Sequence, residues 1–168
     1  MKLREYTSED KAACLAIFDS NTPDYFAPHE RSDYVGFLDQ PEQYFVIETD
    51  AARIVACGGI FCIPRTDIGI LSWDMVARDQ HRQGIGRALM FTRLQLLCQN
   101  PMIAVVKIQT SQHAAPFYET AGFITEEITE HAFAANLHRY DMVLHFTPAQ
   151  RQAIAEHATA ARALFTEA

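Results

Sequence analysis

The stretch from Ile68 to Thr110 constrains this chain more than any other. Ile68–Val76 is rich in aromatic and β-branched residues, as a strand is. It runs into Ala77-Arg78-Asp79-Gln80-His81-Arg82-Gln83-Gly84-Ile85-Gly86, a loop bearing two glycines, and the apolar period then changes. Ile85, Leu89 and Leu96, flanked by Met90, Leu94 and Leu97, give one broad apolar stripe over Gly84–Cys98. Pro101 follows that helix, and the Ile-Ala-Val-Val run within Met102–Thr110 reads as a buried strand. Strand, helix and strand in this order make a crossover that sets two parallel strands in one sheet. The glycine-bearing loop points successive backbone N–H groups at one spot, where the helix dipole also favours an anion, and this predicts a pyrophosphate cradle. Spacing removes two alternatives. A dinucleotide fingerprint needs glycine at position 89, which is Leu89, and no GxxxxGK[ST] motif is present.

The remaining elements surround this crossover. Lys2–Tyr6 predicts an opening strand, and Thr7 or Ser8 with Glu9 and Asp10 predicts a helix start before Leu15 and Phe18. Asn21–His29 reads as a loop, followed by a helix from near Pro28 with Tyr34, Phe37 and Leu38 on one face. Tyr44–Glu48, Arg53–Ile63 and Ile68–Val76 predict an antiparallel meander. Ala114–Ala121 predicts a short helix with Pro116 in its first turn, Gly122 at the left-handed C′ position and Phe123 packing back. Phe123–Thr129 and Leu137–Phe146 predict closing strands. Thr147, Pro148 and Gln150 predict a capping box that opens an Ala-rich terminal helix, with Ile154, Ala158, Ala161 and Phe165 on one face. The sum is a single α/β domain with a mixed, mostly antiparallel sheet.

Composition bounds what the domain does. With 168 residues, 49% of them hydrophobic, the chain fills one core. Its net charge of −7 argues against nucleic-acid binding, and no apolar run is long enough to span a membrane. Cys14, Cys57, Cys62 and Cys98 show no CxxC spacing, so neither zinc nor a disulfide framework is expected, and the expected compartment is the reducing cytoplasm. His131, His138 and His145 recur every seven residues, but strand alternation would separate them, so no metal site is expected there. Residues 1–50 hold eleven Asp/Glu against four Lys/Arg, while Arg78, Arg82, Arg87 and Arg93 follow one another in a locally basic stretch.

At the glycine loop the chain resembles the GNAT acetyltransferase superfamily, whose acyl-CoA motif is Gln/Arg-x-x-Gly-x-Gly/Ala after the fourth strand. Gly84, Gly86 and Arg87-Ala88-Leu89 match it, with His81 at the Gln/Arg position. Ala115-Pro116-Phe117-Tyr118-Glu119-Thr120-Ala121-Gly122-Phe123 resembles the second hallmark, a helix bearing Phe/Leu-Tyr-Glu-x-x-Gly-Phe. Ser111 stands where that hallmark usually has Asn. The resemblance covers residues 1–146 and leaves 147–168 as a helical extension.

The resemblance implies a V-shaped splay between strands 4 and 5, helices on both faces of the sheet, and acetyl-CoA lying in the gap as co-substrate. It implies cofactor contacts at Met75, Val76, His81, Arg82, Gln83, Gly84, Ile85, Gly86, Arg87 and Ser111, with an N–H near Met75 or Val76 polarising the thioester carbonyl. It implies that an amine attacks directly and that Tyr118 protonates the departing thiolate. Strand alternation sets Ile70, Ser72, Asp74 and Val76 on one face, and the resemblance points that face at the active site, with Asp74 as base candidate. Tyr25, Phe26, His29 and Trp73 are acceptor-side candidates, with Asp24 and Glu30 in the same region, and His113 near the Tyr118 helix. An acidic N-terminal third beside the acceptor leans toward a cationic amine, from a small molecule or a peptide. The alternative is an acyl-CoA sensor of the same fold without turnover. The terminal helix could dock on its own domain or form a homodimer.

Overall fold

The computed structural model describes residues 1–165. Its elements are β1 (Lys2–Glu5), α1 (Lys11–Asn21), α2 (Glu30–Asp39), β2 (Gln43–Glu48), β3 (Ile54–Cys62), β4 (Ile68–Val76), α3 (Ile85–Gln99), β5 (Val105–Ser111), α4 (Ala115–Glu119), β6 (Ile124–Ala134), β7 (Leu137–His145) and α5 (Pro148–Arg162). Single 3-10 turns, Ser8–Asp10 and Arg78–Gln80, precede α1 and α3. The seven strands form one sheet in the order β1-β2-β3-β4-β5-β7-β6, with β4 and β5 the parallel pair. No helix among the described residues is long and apolar enough to cross a membrane.

The parallel pairing is brief. Ile68, Gly69 and Ile70 pair with Val105, Val106 and Lys107, and then the two strands part. Beyond that point β4 stays bonded to β3 as far as Val76, while β5 follows β7 to Ser111. Each strand keeps one neighbour and loses the other, which opens the expected V. On one face α1 and α2 pack Cys14, Ile17, Phe18 and Tyr34 against Tyr44, Val46, Cys57 and Met75. On the other, α3, α4 and α5 pack Met90, Leu94, Tyr118 and Ile154 against Leu71, Val106 and Ile108.

β4 corrects the expected alternation. Cys57 pairs with Met75 and Gly59 pairs with Ser72, so Trp73 and Asp74 together face Gly58 as a β-bulge, and Trp73 takes φ +50. Gly69 and Leu71 face α3. Ser72 stands beside Gly59 and Tyr44 on the α1–α2 face, and Trp73 packs on that face too. Asp74 and Val76 then return to the α3 face, beside Arg93 and Ile85 respectively. Ile70 and Ser72 therefore do not share a face with Asp74 and Val76.

Other boundaries move for local reasons. β5 begins at Val105 rather than Met102, because Asn100 Oδ1 accepts the Met102 N–H at 3.0 Å in a turn that leaves Met102 71% exposed. At α5, Thr147 Oγ1 accepts the Gln150 N–H at 3.2 Å, as an N-cap does. The Gln150 side chain does not complete a capping box, since its Nε2 donates to Ala121 O at 2.6 Å. The apolar face of α5 is covered by its own domain, with Ile154 and Ala158 in the core and Arg151 donating to Cys98 O and Ile103 O. The extension was expected over 147–168, of which Thr166–Ala168 lie outside the described residues.

Candidate active site

A cleft of about 810 Å³ passes through the V and opens on both faces of the sheet. Its floor carries three linked side chains. Arg93, in the apolar stripe of α3, is 1% exposed and donates from Nη2 to Asp74 Oδ2 at 2.6 Å, from Nη1 to the other carboxylate oxygen, and to Gly59 O at 3.0 Å. Tyr118 donates its hydroxyl to Asp74 Oδ2 at 2.9 Å. Burial, and after it the Asp74 charge, pushes the Tyr118 phenol well above its usual value of 10. A carboxylate serving as counter-ion to a buried guanidinium has both oxygens engaged, so Asp74 orients Tyr118 and balances Arg93.

Each member reaches the cleft through a local device. The bulge turns Asp74 toward α3, and Gly58 opposite it leaves the room: a Cβ there would lie 2.8 Å from Arg93 Nη1 and 3.1 Å from Asp74 Oδ1. Tyr118 is held by the end of α4. Gly122 at φ +93 lets Phe123 N–H reach Tyr118 O at 3.3 Å and Gly122 N–H reach Glu119 O at 2.9 Å, a Schellman closure. The Phe123 ring then meets the Tyr118 ring edge-on at 5.7 Å.

At the other end of the cleft, Arg82 at φ +61 and Gly84 at φ +82 curl the loop into the N-terminus of α3. The first bond within the helix runs from Ala88 N–H to Gly84 O, so the amides of Ile85, Gly86 and Arg87 have no intrahelical acceptor. A Cβ on Gly86 would lie 3.4 Å from Val76 Cγ2, which explains a residue without one. Ala77 N–H bonds to Val55 O, and alternation from there turns the amide of Val76 toward the V and that of Met75 toward β3. Between loop and floor, Ser111 is 3% exposed and its Oγ has no hydrogen-bond partner. An orphaned buried hydroxyl and a row of free amides are the features that an elongated phosphate-bearing thioester would satisfy.

The other candidates divide. Tyr25, Phe26 and Trp73 line the cleft, as do His81, Arg82, Gly84, Gly86 and Arg87. His81 Nε2 donates to Val76 O at 2.9 Å, an acceptor it shares with Asn21 Nδ2 at 2.8 Å. Tyr25 stands edge-on to both His81 and His113, with ring centroids 5.6 and 6.2 Å apart. Arg87 turns to α5, 3.2 Å from the His157 ring and over Phe91. Gln83, Ile85 and His29 bring no side chain to the cleft: Gln83 reaches Asp79 O, Ile85 is buried, and His29 is exposed beside α2. Met75 and Val76 also line the cleft, although the Met75 side chain is 3% exposed in the α1–α2 core.

Sequence reasoning overlooked Arg93 as a site residue and counted it with a basic surface stretch. The signal was present, since Arg93 interrupts the stripe between Leu89 and Leu97, where only a buried partner makes a charge tolerable. The stretch is not one patch, because Arg78 pairs with Asp24. The N-terminal acids do not wall the cleft either: of the eleven only Glu30 lines it, and Asp10, Asp19, Asp24, Asp39, Glu48 and Asp50 are ion-paired. His131 and His138 do meet, with ring centroids 4.9 Å apart across the β6–β7 hairpin, where irregular pairing cancels the alternation. No group of three or more metal-binding side chains occurs among the described residues.

The family model for the acetyltransferase (GNAT) domain matches residues 6–146. The chain belongs to the GNAT acetyltransferase family. It is accordingly an acetyltransferase, and membership implies transfer of acetyl from acetyl-CoA. Solved GNAT structures superpose on most of its length. The ribosomal-protein-S18-alanine N-acetyltransferase from Escherichia coli matches at TM-score 0.72 and 17% identity, over 87% of this chain and 94% of that one. An aminoglycoside 6'-N-acetyltransferase complexed with coenzyme A matches at 0.69 and 14%, over 88% and 98%. Spermidine N-acetyltransferase from Vibrio cholerae matches at 0.66 and 14%, over 86% and 92%. At these identities the likeness is one of fold. No curated protein sequence matches the chain significantly.

Proposed function

We propose that this GNAT enzyme transfers acetyl from acetyl-CoA to the primary amine of a small molecule or peptide by direct attack, with Tyr118 as the acid. The observation that carries the reading is the Arg93–Asp74–Tyr118 chain at the floor of a cleft open to both faces of the sheet. The co-substrate enters from the α3 side. Its pyrophosphate lies on the amides at Ile85–Arg87, its pantetheine runs past Ser111 Oγ, and its thioester carbonyl takes the Val76 N–H, an oxyanion contact worth roughly 3–4 kcal/mol in acyl transfer. The amine arrives from the α1–α2 side, past Tyr25, Phe26 and Trp73. Its nitrogen bonds to the carbonyl carbon, the C–S bond breaks, and the thiolate takes the Tyr118 proton. An acceptor that arrives as an ammonium gives one proton to water before its nitrogen attacks and a second as the amide forms, and solvent reprotonates Tyr118. For this step the hydroxyl must turn from Asp74 to sulfur, and the raised pKa keeps the proton on the phenol until sulfur carries charge.

The test is thermal unfolding with acetyl-CoA, followed by thiol release across a panel of amines. Ligand at a hundred times its dissociation constant adds about 2.7 kcal/mol of stability. A rise in unfolding temperature with thiol release supports the reading. A rise with no release for any amine supports the sensor alternative, and no rise at millimolar acetyl-CoA refutes both.

A further inference from the structure

Four carboxylates line the cleft: Glu30, Asp74, Glu126 and Asp141. Three already have cations. Asp74 pairs with Arg93, Glu126 with Lys107 at 3.1 Å, and Asp141 with Arg139 at 2.9 Å. Glu30 is in no ion pair among the described residues. Its one hydrogen bond is from the Ala27 N–H to Oε2 at 2.7 Å, which closes the first turn of α2 and leaves the second oxygen uncommitted. Burial raises its pKa, outweighing the Ala27 N–H and the neighbouring His29.

The cleft that Glu30 lines also carries aromatic rings. Phe26 and Trp73, which line the same cleft, stack with centroids 6.1 Å apart. Tyr34, one helical turn after Glu30, lies 4.9 Å from Trp73. An unpaired anion beside flat apolar faces is complementary to an ammonium on a hydrocarbon body.

We infer that Glu30 selects the acceptor by holding its ammonium group, and that the acceptor is an amine with an apolar body and no carboxylate, its body lying along Phe26 and Trp73. This rests on amine acetylation in the same cleft. A carboxylate on the acceptor would be repelled by Glu30; of the lining cations, Arg93 and Lys107 are already paired with Asp74 and Glu126, and Arg82 and Arg87 belong to the glycine loop and the start of α3. The three neutralised carboxylates add little pull of their own. Discrimination therefore falls on one side chain, and it acts in binding rather than in the chemical step.

Phenethylamine and phenylalanine differ only by a carboxylate and make the probe pair. Calorimetric titration into the CoA-bound wild type should show phenethylamine binding at least tenfold more tightly than phenylalanine. In Glu30→Gln, whose amide oxygen can still accept the Ala27 N–H, that preference should fall to within about threefold. Kinetically, KM for phenethylamine should rise about tenfold with kcat and CoA affinity nearly unchanged. Equal binding of the two probes to the wild type, or binding of neither, overturns the inference without recourse to a variant. A drop in kcat at constant KM in Glu30→Gln also overturns it, by making Glu30 a base. Absence of thiol release with every amine, alongside retained selective binding of phenethylamine, would instead refute acetyl transfer and leave the role of Glu30 standing.

Discussion

Gly58 stands directly against Arg93: a β-carbon there would lie 2.8 Å from Nη1 and 2.9 Å from Cζ of a guanidinium fixed on its other side by Asp74. Arg93 is buried and cannot swing clear. Gly58→Ala should therefore destabilise the fold by about 1–3 kcal/mol, the range for overpacking a tight core. It should also slow turnover by displacing Asp74. Urea unfolding with steady-state rates checks both, and a variant matching the wild type in each would show that the arginine has room to retreat.

Breaking the Arg93–Asp74 pair from either side leaves an uncompensated buried charge, so Arg93→Met and Asp74→Asn should each cost about 3–5 kcal/mol. Replacing both, as Arg93→Met with Asp74→Leu, should recover much of that stability and none of the activity. Equilibrium unfolding of the three variants decides this, and additive losses would mean that the two residues do not act as a pair.

Tyr118→Phe should lower kcat by roughly 10²–10⁴, the usual yield of a positioned acid, with KM for acetyl-CoA changed only slightly. The pH profile carries the sign. The phenol titrates well above 10, so wild-type kcat should show no alkaline decline below pH 10. A fall near pH 8 or 9 would assign the acid elsewhere.

Glu30→Gln should be at least as stable as the wild type at pH 7. Burial raises the folded-state pKa of Glu30, outweighing the Ala27 N–H and the nearby His29. Its charge therefore costs stability once ionised. The advantage of the variant should vanish below about pH 4.5, the ordinary value, and grow as pH rises through the raised pKa. Melting curves at pH 4 and pH 7 test it, and a variant less stable at pH 7 would show that Glu30 is paired in solution.

A chain ending at Phe146 loses the burial of Ile154, Ala158 and Ala161 and the two carbonyl bonds made by Arg151. These sum to about 4–6 kcal/mol, or roughly 10–20 °C in unfolding temperature. Light scattering of the full chain and the truncation gives a second readout. A dimer that dissociates on truncation would mean that α5 serves a partner rather than its own α3.

The crossover was legible because its signals are local. Gly84 before a stripe of period 3.6, and Gly122 after a short helix, each demand one backbone conformation, and both occur with φ above +80°. Phe123 packing on Tyr118 followed from the same rule. What escaped depends on pairs distant in sequence. Nothing around Trp73 announces an extra residue, since a bulge is defined by the partner strand, and so Asp74 was set on one face with Ile70 and Ser72. Glu30 was placed in the acceptor-side region together with Asp24, but only tertiary pairing shows that Asp24 is neutralised by Arg78 while Glu30 is in no ion pair among the described residues. Arg93 is the intermediate case, visible as an anomaly in the helix but not as to its partner.

The bulge in β4 also acts as a phase shift within one strand. Before it, Ile70 and Ser72 lie on the α1–α2 face, from which we propose that the acceptor enters; after it, Asp74 lies on the α3 face, beside Arg93. One extra residue thus divides a nine-residue strand into two halves that can vary independently. On the proposed mechanism, substitutions at Ile70, Ser72 or Trp73 would change acceptor preference and leave Asp74 in place, whereas deleting a single residue at the bulge would merge the two halves.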